Sequence, residues 1–239
     1  MRLAVLQSNY IPWKGYFDLM GMADLFVVYD SVQYTKNDWR NRNILPTPSG
    51  PTWLTIPVET AGRSDQRIHD AVIGDRRWAR KHWQTVSQLL VRRASFASYR
   101  DVWESWWHEA ESFELLHDVN VHFLRRLAEQ LGVDTPIVDD REYRLADDTP
   151  TGKLVQLCQA VRADRYATGP SGLNYLELHR FDVEGIAVDV IDYSAYPTYQ
   201  QTTSEFQHGV SVIDLLASEG ASARDHLLGR FHTASTIDE

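Results

Sequence analysis

Short apolar runs and amphipathic segments alternate along the chain. The apolar runs predict buried strands at residues 3–6, 25–30 and 186–194, with further strands at 53–58, 72–74, 135–138 and 164–168. The amphipathic segments predict helices at residues 13–23, 149–161, 173–183 and 210–218. The first strand, helix and strand close a βαβ unit within about 30 residues. This alternation predicts an α/β fold with a mainly parallel sheet and flanking helices.

Residues 76–132 differ from the rest of the chain. They are rich in Trp, His, Glu and Arg, and their pattern predicts two or three consecutive helices. We therefore expect an α/β core formed by residues 1–75 and 133–239, with an α-helical insert or lid at 76–132. The last residues are expected to fray.

Composition narrows the possible functions. The 239 residues carry a net charge of −9, which disfavours a nucleic-acid-binding protein. No apolar run approaches the roughly 20 residues of a membrane-spanning helix, so we expect no membrane insertion and a cytoplasmic location. Cys158 is the single cysteine, which excludes an internal disulfide, and we expect it to lie in the core. The spacing of His117 and His122 matches no familiar metal motif, so no metal site is predicted.

A basic, amide-rich segment at residues 34–43, YTKNDWRNRN, stands out in this acidic chain. It directly follows a predicted strand, and the carboxyl ends of strands are where open α/β sheets bind ligands. Arginine and lysine bind carboxylate or phosphate, and asparagine supplies paired donors and acceptors. The alternative is a solvated loop. The candidate ligand-binding residues of this segment are Tyr34, Lys36, Arg40, Asn41, Arg42 and Asn43.

Three other loops offer polar side chains near predicted strand ends. The turn after the first strand opens a helix, although helix packing explains it equally well, and its candidates are Gln7, Asn9, Tyr10, Trp13 and Lys14. The loop at residues 166–177 either cradles an anion or is a tight turn with a helix cap, and its candidates are Gly169, Ser171 and Tyr175. The loop at residues 193–208 contributes Gln200 and His208. A lone loop histidine such as His208 is either an acid or base, or an exposed bystander.

Several of these segments resemble the WbqC-like protein family. The stretch QSNYIPWKGYFD at residues 7–18 is similar to the N-terminal signature of that family. The resemblance continues through WRNRN at 39–43, WLTIPV at 53–58, YATGPSG at 166–172 and SVIDLL at 211–216. It covers nearly the whole chain.

The resemblance implies a role in bacterial surface-polysaccharide or natural-product pathways. The implied reaction is transfer of an acyl or aminoacyl group to an amino sugar or another amine. The donor would be phosphopantetheine-linked or nucleotide-linked, and an acyl or peptidyl carrier protein is an expected partner. Under this hypothesis Lys14, Lys36, Arg40 and Arg42 bind the anionic donor, while Gln7, Asn41 and Asn43 orient the acceptor. The expected catalytic residues are His208 or Asp30 as base, together with Lys36.

The first βαβ unit is also similar to that of the nucleotidylyltransferase and pantothenate-synthetase superfamily, which implies a Rossmann-like, HUP-like fold. In that superfamily an H-x-G-H turn stabilises the transferring phosphoryl group. Residues 13–16 of this chain are WKGY, without either histidine. Two alternatives to acyl transfer stay open: a nucleotidylyltransferase-like enzyme using ATP or CTP, and a non-catalytic module that binds a carrier protein or glycan.

Overall fold

The computed structural model describes residues 1–203 and 205–234. The expected α/β fold is confirmed: six strands form one sheet in the order β5-β2-β1-β6-β7-β8, and helices flank it. The strands are β1 (Arg2–Leu6), β2 (Leu25–Val28), β3 (Arg42–Leu45), β4 (Thr52–Thr55), β5 (Ile137–Asp139), β6 (Arg165–Thr168), β7 (Ala187–Asp192) and β8 (Arg230–Thr233). The α-helices are α1 (Lys14–Gly21), α2 (Trp78–Leu90), α3 (Phe96–Ala110), α4 (Leu116–Gln130), α5 (Pro150–Val161), α6 (Leu178–Val183) and α7 (Val212–Glu219).

Strand β1 lies at the centre of the sheet and is where the strand order reverses. It pairs in parallel with β2 on one side and with β6 on the other. In this register Leu3 lies opposite Leu25 of β2 and opposite Tyr166 of β6. The chain moves outward from β1 to β2 and β5, then returns to build β6 and β7 on the opposite side. A crevice therefore opens beyond the carboxyl ends of β1 and β6, where sheets of this kind bind ligands.

Alternate residues of the central strands belong to two separate cores. Ala4 and Phe26 face the larger core, which includes residues of α1, α7 and the helices α2 to α4. Leu3 and Val5 face the smaller core, which is covered by α5 and α6. Both faces of the sheet are therefore buried, which explains why the sequences of these strands are continuous apolar runs.

The segment predicted as a helical insert consists of α2, α3 and α4. Its apolar side chains pack against the turn after β1, where the ring of Tyr10 meets Trp78 edge-on at 5.7 Å and Phe123 at 5.6 Å. The indole Nε1 of Trp107 donates to the Tyr10 hydroxyl at 3.0 Å. The three helices thus share a core with β1 and α1, and the division into core and lid stays a prediction. Within the described residues, no helix is both long and apolar enough to cross a membrane.

Two strands were not expected from the sequence pattern. Strand β8 pairs antiparallel with β7 at the edge of the sheet, and the frayed terminus expected beyond it lies outside the described residues. Strand β3 begins inside the basic segment and forms an antiparallel hairpin with β4. Residues 72–74 form only isolated bridges to neighbouring loops. The helix expected at 173–183 is interrupted: a 3₁₀ turn covers 170–174, and α6 begins at Leu178.

Candidate functional site

The crevice at the switch point encloses a volume of about 610 Å³. Its walls come from the turn after β1, the start of α1, the loop after β6 and the start of α5. The polar side chains that line it are Gln7, Asn9, Arg40 and Ser171. The aromatic side chains that line it are Trp13, Tyr16, Tyr29, Tyr166, Tyr175 and Tyr193. A cavity of this size with few polar groups suits a small ligand rather than a macromolecule.

Arg40 supplies the positive charge of the crevice. Its guanidinium donates to the Asn9 Oδ1 and lies 3.4 Å from the carboxylate of Asp38, and its side chain is only 16% exposed. The backbone carbonyl of Arg40 accepts a hydrogen bond of 2.9 Å from the Asn120 side chain, which ties the basic segment to α4. Among the described residues, Arg40 is the only charged side chain that lines the crevice. Asp38 offsets part of the Arg40 charge from outside the crevice. Because no carboxylate lines the described wall, the wall still favours an anionic ligand.

The turn after β1 is strained and held by distant residues. Ile11 has a φ of +37°, which is unusual for a β-branched side chain. The Asn43 Nδ2 donates at 3.0 Å to the carbonyls of both Tyr10 and Ile11, and the Ser211 hydroxyl donates to the Ile11 carbonyl at 2.6 Å. These bonds hold the turn in the conformation that places Asn9 and Trp13 at the crevice.

A buried polar cluster lies next to the crevice and includes Asp30, which directly follows Tyr29 of the crevice wall. Asp30 is fully buried; one carboxylate oxygen accepts from the Ser8 amide at 2.8 Å, and the other lies 2.7 Å from the His117 Nδ1. The second ring nitrogen of His117 lies 3.1 Å from Asp139. Burial alone would lower the pKa of His117, but the hydrogen bond and charge of Asp30, with the charge of Asp139, more than offset burial and raise it. The cluster joins the ends of β2 and β5 to α4.

Lys14 lies at the start of α1, but its ammonium group turns away from the crevice. The Nζ donates to the Pro197 carbonyl at 3.1 Å and lies 4.6 Å from the centre of the Tyr196 ring. Burial lowers the pKa of Lys14 to about 8, although the nearby Asp18 opposes this effect. A cation is unfavourable in the first turn of a helix. In this protein the ammonium group of Lys14 holds Tyr196 and Pro197 against α1.

The sequence profile of the WbqC-like protein family matches residues 7–226 of the chain. The chain belongs to the WbqC-like protein family. It is also 39% identical over 226 residues to a Mycobacterium tuberculosis protein named "Uncharacterized protein Rv1507c", and the match covers 95% of this chain and 97% of that protein. No solved structure matches the chain significantly. The family expected from the sequence is confirmed.

In this WbqC-like chain the predicted ligand-binding residues separate into two groups. The crevice brings together Gln7, Asn9, Trp13, Arg40, Gly169, Ser171 and Tyr175. The second group does not reach the crevice and consists of Tyr10, Lys14, Tyr34, Asn41, Arg42, Asn43 and Gln200.

Members of the second group make contacts within the protein. The Asn41 Nδ2 donates to the Ile56 carbonyl at 2.8 Å, which ties the basic segment to the end of β4. The Arg42 guanidinium stacks over Trp53 at 4.1 Å from the ring centre. Tyr34 is buried, and the backbone carbonyl of Gln200 accepts from Arg93 at 2.8 Å.

The predicted catalytic residues lie apart from one another. Asp30 is buried in the cluster next to the crevice, and Lys36 is exposed on the basic segment. His208 is exposed and contacts the ring of Phe206, with 4.6 Å between ring centres. Burial and the charge of Lys14 lower the pKa of His208. None of the three lines the crevice, and their catalytic roles stay predictions.

The crevice wall also includes residues that the sequence did not predict as ligand-binding, among them Tyr16, Tyr29 and Pro150. Tyr29 directly follows β2, and Pro150 begins α5, so both lie at the carboxyl edge of the sheet. Their position at this edge could have identified both residues as candidates from the sequence. Burial raises the pKa of Tyr29 to about 12, and the charge of Asp140 adds to the effect, so its hydroxyl acts as a hydrogen-bond donor.

Proposed function

We propose that the crevice binds the anionic end of a small donor, and that this WbqC-like protein transfers an acyl or aminoacyl group from that donor to an amine. The observation that carries the proposal is the placement of Arg40. In a chain with a net charge of −9, it is the one charged side chain on the described crevice wall, and it lies at the switch point of the sheet. Carboxylate or phosphate would bind its fork of N–H donors.

The contacts of Arg40 and Asn9 are compatible with acyl transfer. Because arginine only donates, the Asn9 Oδ1 accepts from it and the Asn9 amide N–H groups are left for a ligand. In the proposed reaction the amine nitrogen attacks the acyl carbon, and the bond from that carbon to the leaving sulfur or oxygen breaks. Positive charge and N–H donors beside the acyl oxygen stabilise the negative charge that develops there. The proton of the amine would pass to the leaving group.

A second candidate is a binding module without catalysis. The described crevice wall contains no carboxylate, imidazole, thiol or ammonium group that could serve as a general base. Such a module would hold a carrier-bound group or a glycan against the aromatic wall. Nucleotidyl transfer has less support, because Trp13 and Tyr16 occupy the positions of the two histidines and the Tyr16 hydroxyl donates to the Gln7 carbonyl at 3.0 Å.

Binding of simple donors tests the site. Acetyl phosphate and aminoacyl thioesters of phosphopantetheine are titrated against the wild type, Arg40→Gln and Arg40→Lys, with affinity measured by calorimetry. Loss of a charge-assisted hydrogen bond costs about 1.5–3 kcal/mol, so Arg40→Gln should weaken binding roughly 10- to 100-fold. Arg40→Lys should recover part of the loss. Arg42→Gln removes the same charge from outside the crevice, and a larger loss there would refute the assignment.

Product formation decides between the two candidates. The same donors are incubated with glucosamine and other simple amines, and acylated products are detected by mass spectrometry. Products that disappear in Arg40→Gln support the transferase. Arg40-dependent binding with no product above the uncatalysed background refutes the transferase for these substrates and supports the binding module.

A further inference from the structure

A second, smaller cavity lies on the other side of Tyr29 from the crevice. It has a volume of about 220 Å³ and lies beyond the carboxyl ends of β2 and β5. Tyr29 lines both cavities. Three cationic side chains from separate parts of the chain meet at the smaller one: Arg67, Arg141 and Lys153.

Two of these three cations have no ion-pair partner within the described residues. Arg67 is exposed and Lys153 is half-buried, and neither lies within ion-pair distance of a described carboxylate. Lys153 lies near the start of α5, where the helix dipole disfavours a positive charge. Arg141 is paired with Asp139, which lies 2.6 Å from one of its nitrogens. Arg67 and Lys153 thus bring two positive charges without described ion-pair partners to one cavity of a chain whose net charge is −9.

One carboxylate, that of Asp140, lines this cavity beside the three cations. Asp140 is 2% exposed, and one of its oxygens accepts from the Asp30 amide at 3.2 Å. The other oxygen has no hydrogen-bond partner in the described part of the chain. Burial raises the pKa of the Asp140 carboxyl. Three cations against this one carboxylate leave an excess of positive charge on the described wall. The hydroxyls of Tyr29 and Tyr143 add hydrogen-bond donors to the same wall, whereas the Ser31 hydroxyl interacts with the Asp140 carboxyl.

We propose that this smaller cavity is a phosphate-binding site formed by Arg67, Arg141 and Lys153. A compact anion with several acceptor oxygens matches converging guanidinium and ammonium groups from three elements. The phosphate is either inorganic phosphate or the phosphate group of a ligand whose remainder passes Tyr29 into the crevice. The site goes beyond the proposed function, because the anion bound by Arg40 occupies the other cavity.

Inorganic phosphate is the first probe, used with the full chain. Its affinity is measured by calorimetry and by the rise in melting temperature, against sodium chloride at equal ionic strength. Arg67→Gln and Lys153→Gln should each weaken phosphate binding by about tenfold or more. Lys153→Gln removes an unfavourable charge near the start of α5, so it should fold and melt at or above the wild-type temperature without phosphate. Arg100→Gln is the matched control, since Arg100 is exposed on α3 and lines neither cavity.

The pattern of phosphate binding across the variants decides whether the smaller cavity is a phosphate site. Phosphate-specific stabilisation that Arg67→Gln and Lys153→Gln remove and Arg100→Gln keeps supports the site. No stabilisation beyond that of chloride, or equal losses in all three variants, overturns it. Arg40→Gln separates the two sources: inorganic phosphate binding should depend more on Arg67 and Lys153 than on Arg40, whereas Arg40→Gln and Arg67→Gln should both weaken a phosphate ester such as phosphopantetheine if the ester spans both cavities. A larger loss of inorganic phosphate binding in Arg40→Gln than in Arg67→Gln overturns the site. Failure of Arg40 to affect any donor would refute the proposed function and leave this site intact.

Discussion

Replacing Asn43 with alanine should destabilise the protein strongly, because this side chain holds the strained turn beside the crevice. Its amide donates to the carbonyls of Tyr10 and Ile11 and accepts from the Ile44 amide at 2.8 Å, and the residue is 2% exposed. Each such hydrogen bond contributes about 1 kcal/mol, so losing three should cost about 3 kcal/mol. That is a large share of a typical unfolding free energy of roughly 5–15 kcal/mol. The melting temperature should fall by roughly 6–12 °C for a domain of this size.

Urea denaturation followed by circular dichroism measures the change in unfolding free energy. Asn174→Ala is the matched control, because Asn174 is exposed and its side chain makes no hydrogen bond among the described residues. It should change stability by less than about 0.5 kcal/mol. A loss below about 1 kcal/mol in Asn43→Ala would refute the assigned role. If that variant kept its stability and lost donor or acceptor binding, the ligand contact predicted from the sequence would be supported instead.

Two further predictions concern the surroundings of the crevice. Because Asp30 and Asp139 raise the pKa of His117, its protonated form stabilises the fold below its unfolded pKa of about 6.5, and that contribution should disappear as pH rises through the higher folded pKa. Urea midpoints from pH 6 to 9 should therefore fall more steeply in the wild type than in His117→Gln, and equal slopes would contradict this. Gly172→Ala places a Cβ 2.1 Å from the Thr168 Oγ1 and should cost about 1–3 kcal/mol. Adding Thr168→Ala should recover part of that loss, and strict additivity of the two changes would contradict the clash.

The central strands could be predicted because their pattern is local and strong. Strands β1 and β2 are apolar on consecutive positions, and the structure buries both faces of each. Strand β8 could not be predicted in this way. It is an edge strand whose four residues are all partly or fully exposed, so its sequence RFHT carries no burial pattern. Its strand conformation depends on pairing with β7, which lies about 40 residues earlier.

The candidate site was predicted in part for a similar reason. The turn after β1 and the loop after β6 follow strong strands, and the carboxyl ends of parallel strands lie at one edge of a sheet. The second cavity was not predicted. Arg67, Arg141 and Lys153 are separated by 74 and 12 residues along the chain, and none belongs to a recognisable motif. Only the packing of their elements brings them to one cavity.

By itself, the sequence determined the α/β class, the family and two of the loops that line the crevice, because each depends on short-range pattern or on motif identity. The tertiary structure decided which side chains face a ligand. Arg40 and Arg42 are two residues apart in one basic segment, yet Arg40 meets Asn9 at the crevice while Arg42 stacks on Trp53. Both partners are fixed by long-range packing, of the β1 turn in one case and of the β3–β4 hairpin in the other. No property of the segment alone distinguishes the two arginines.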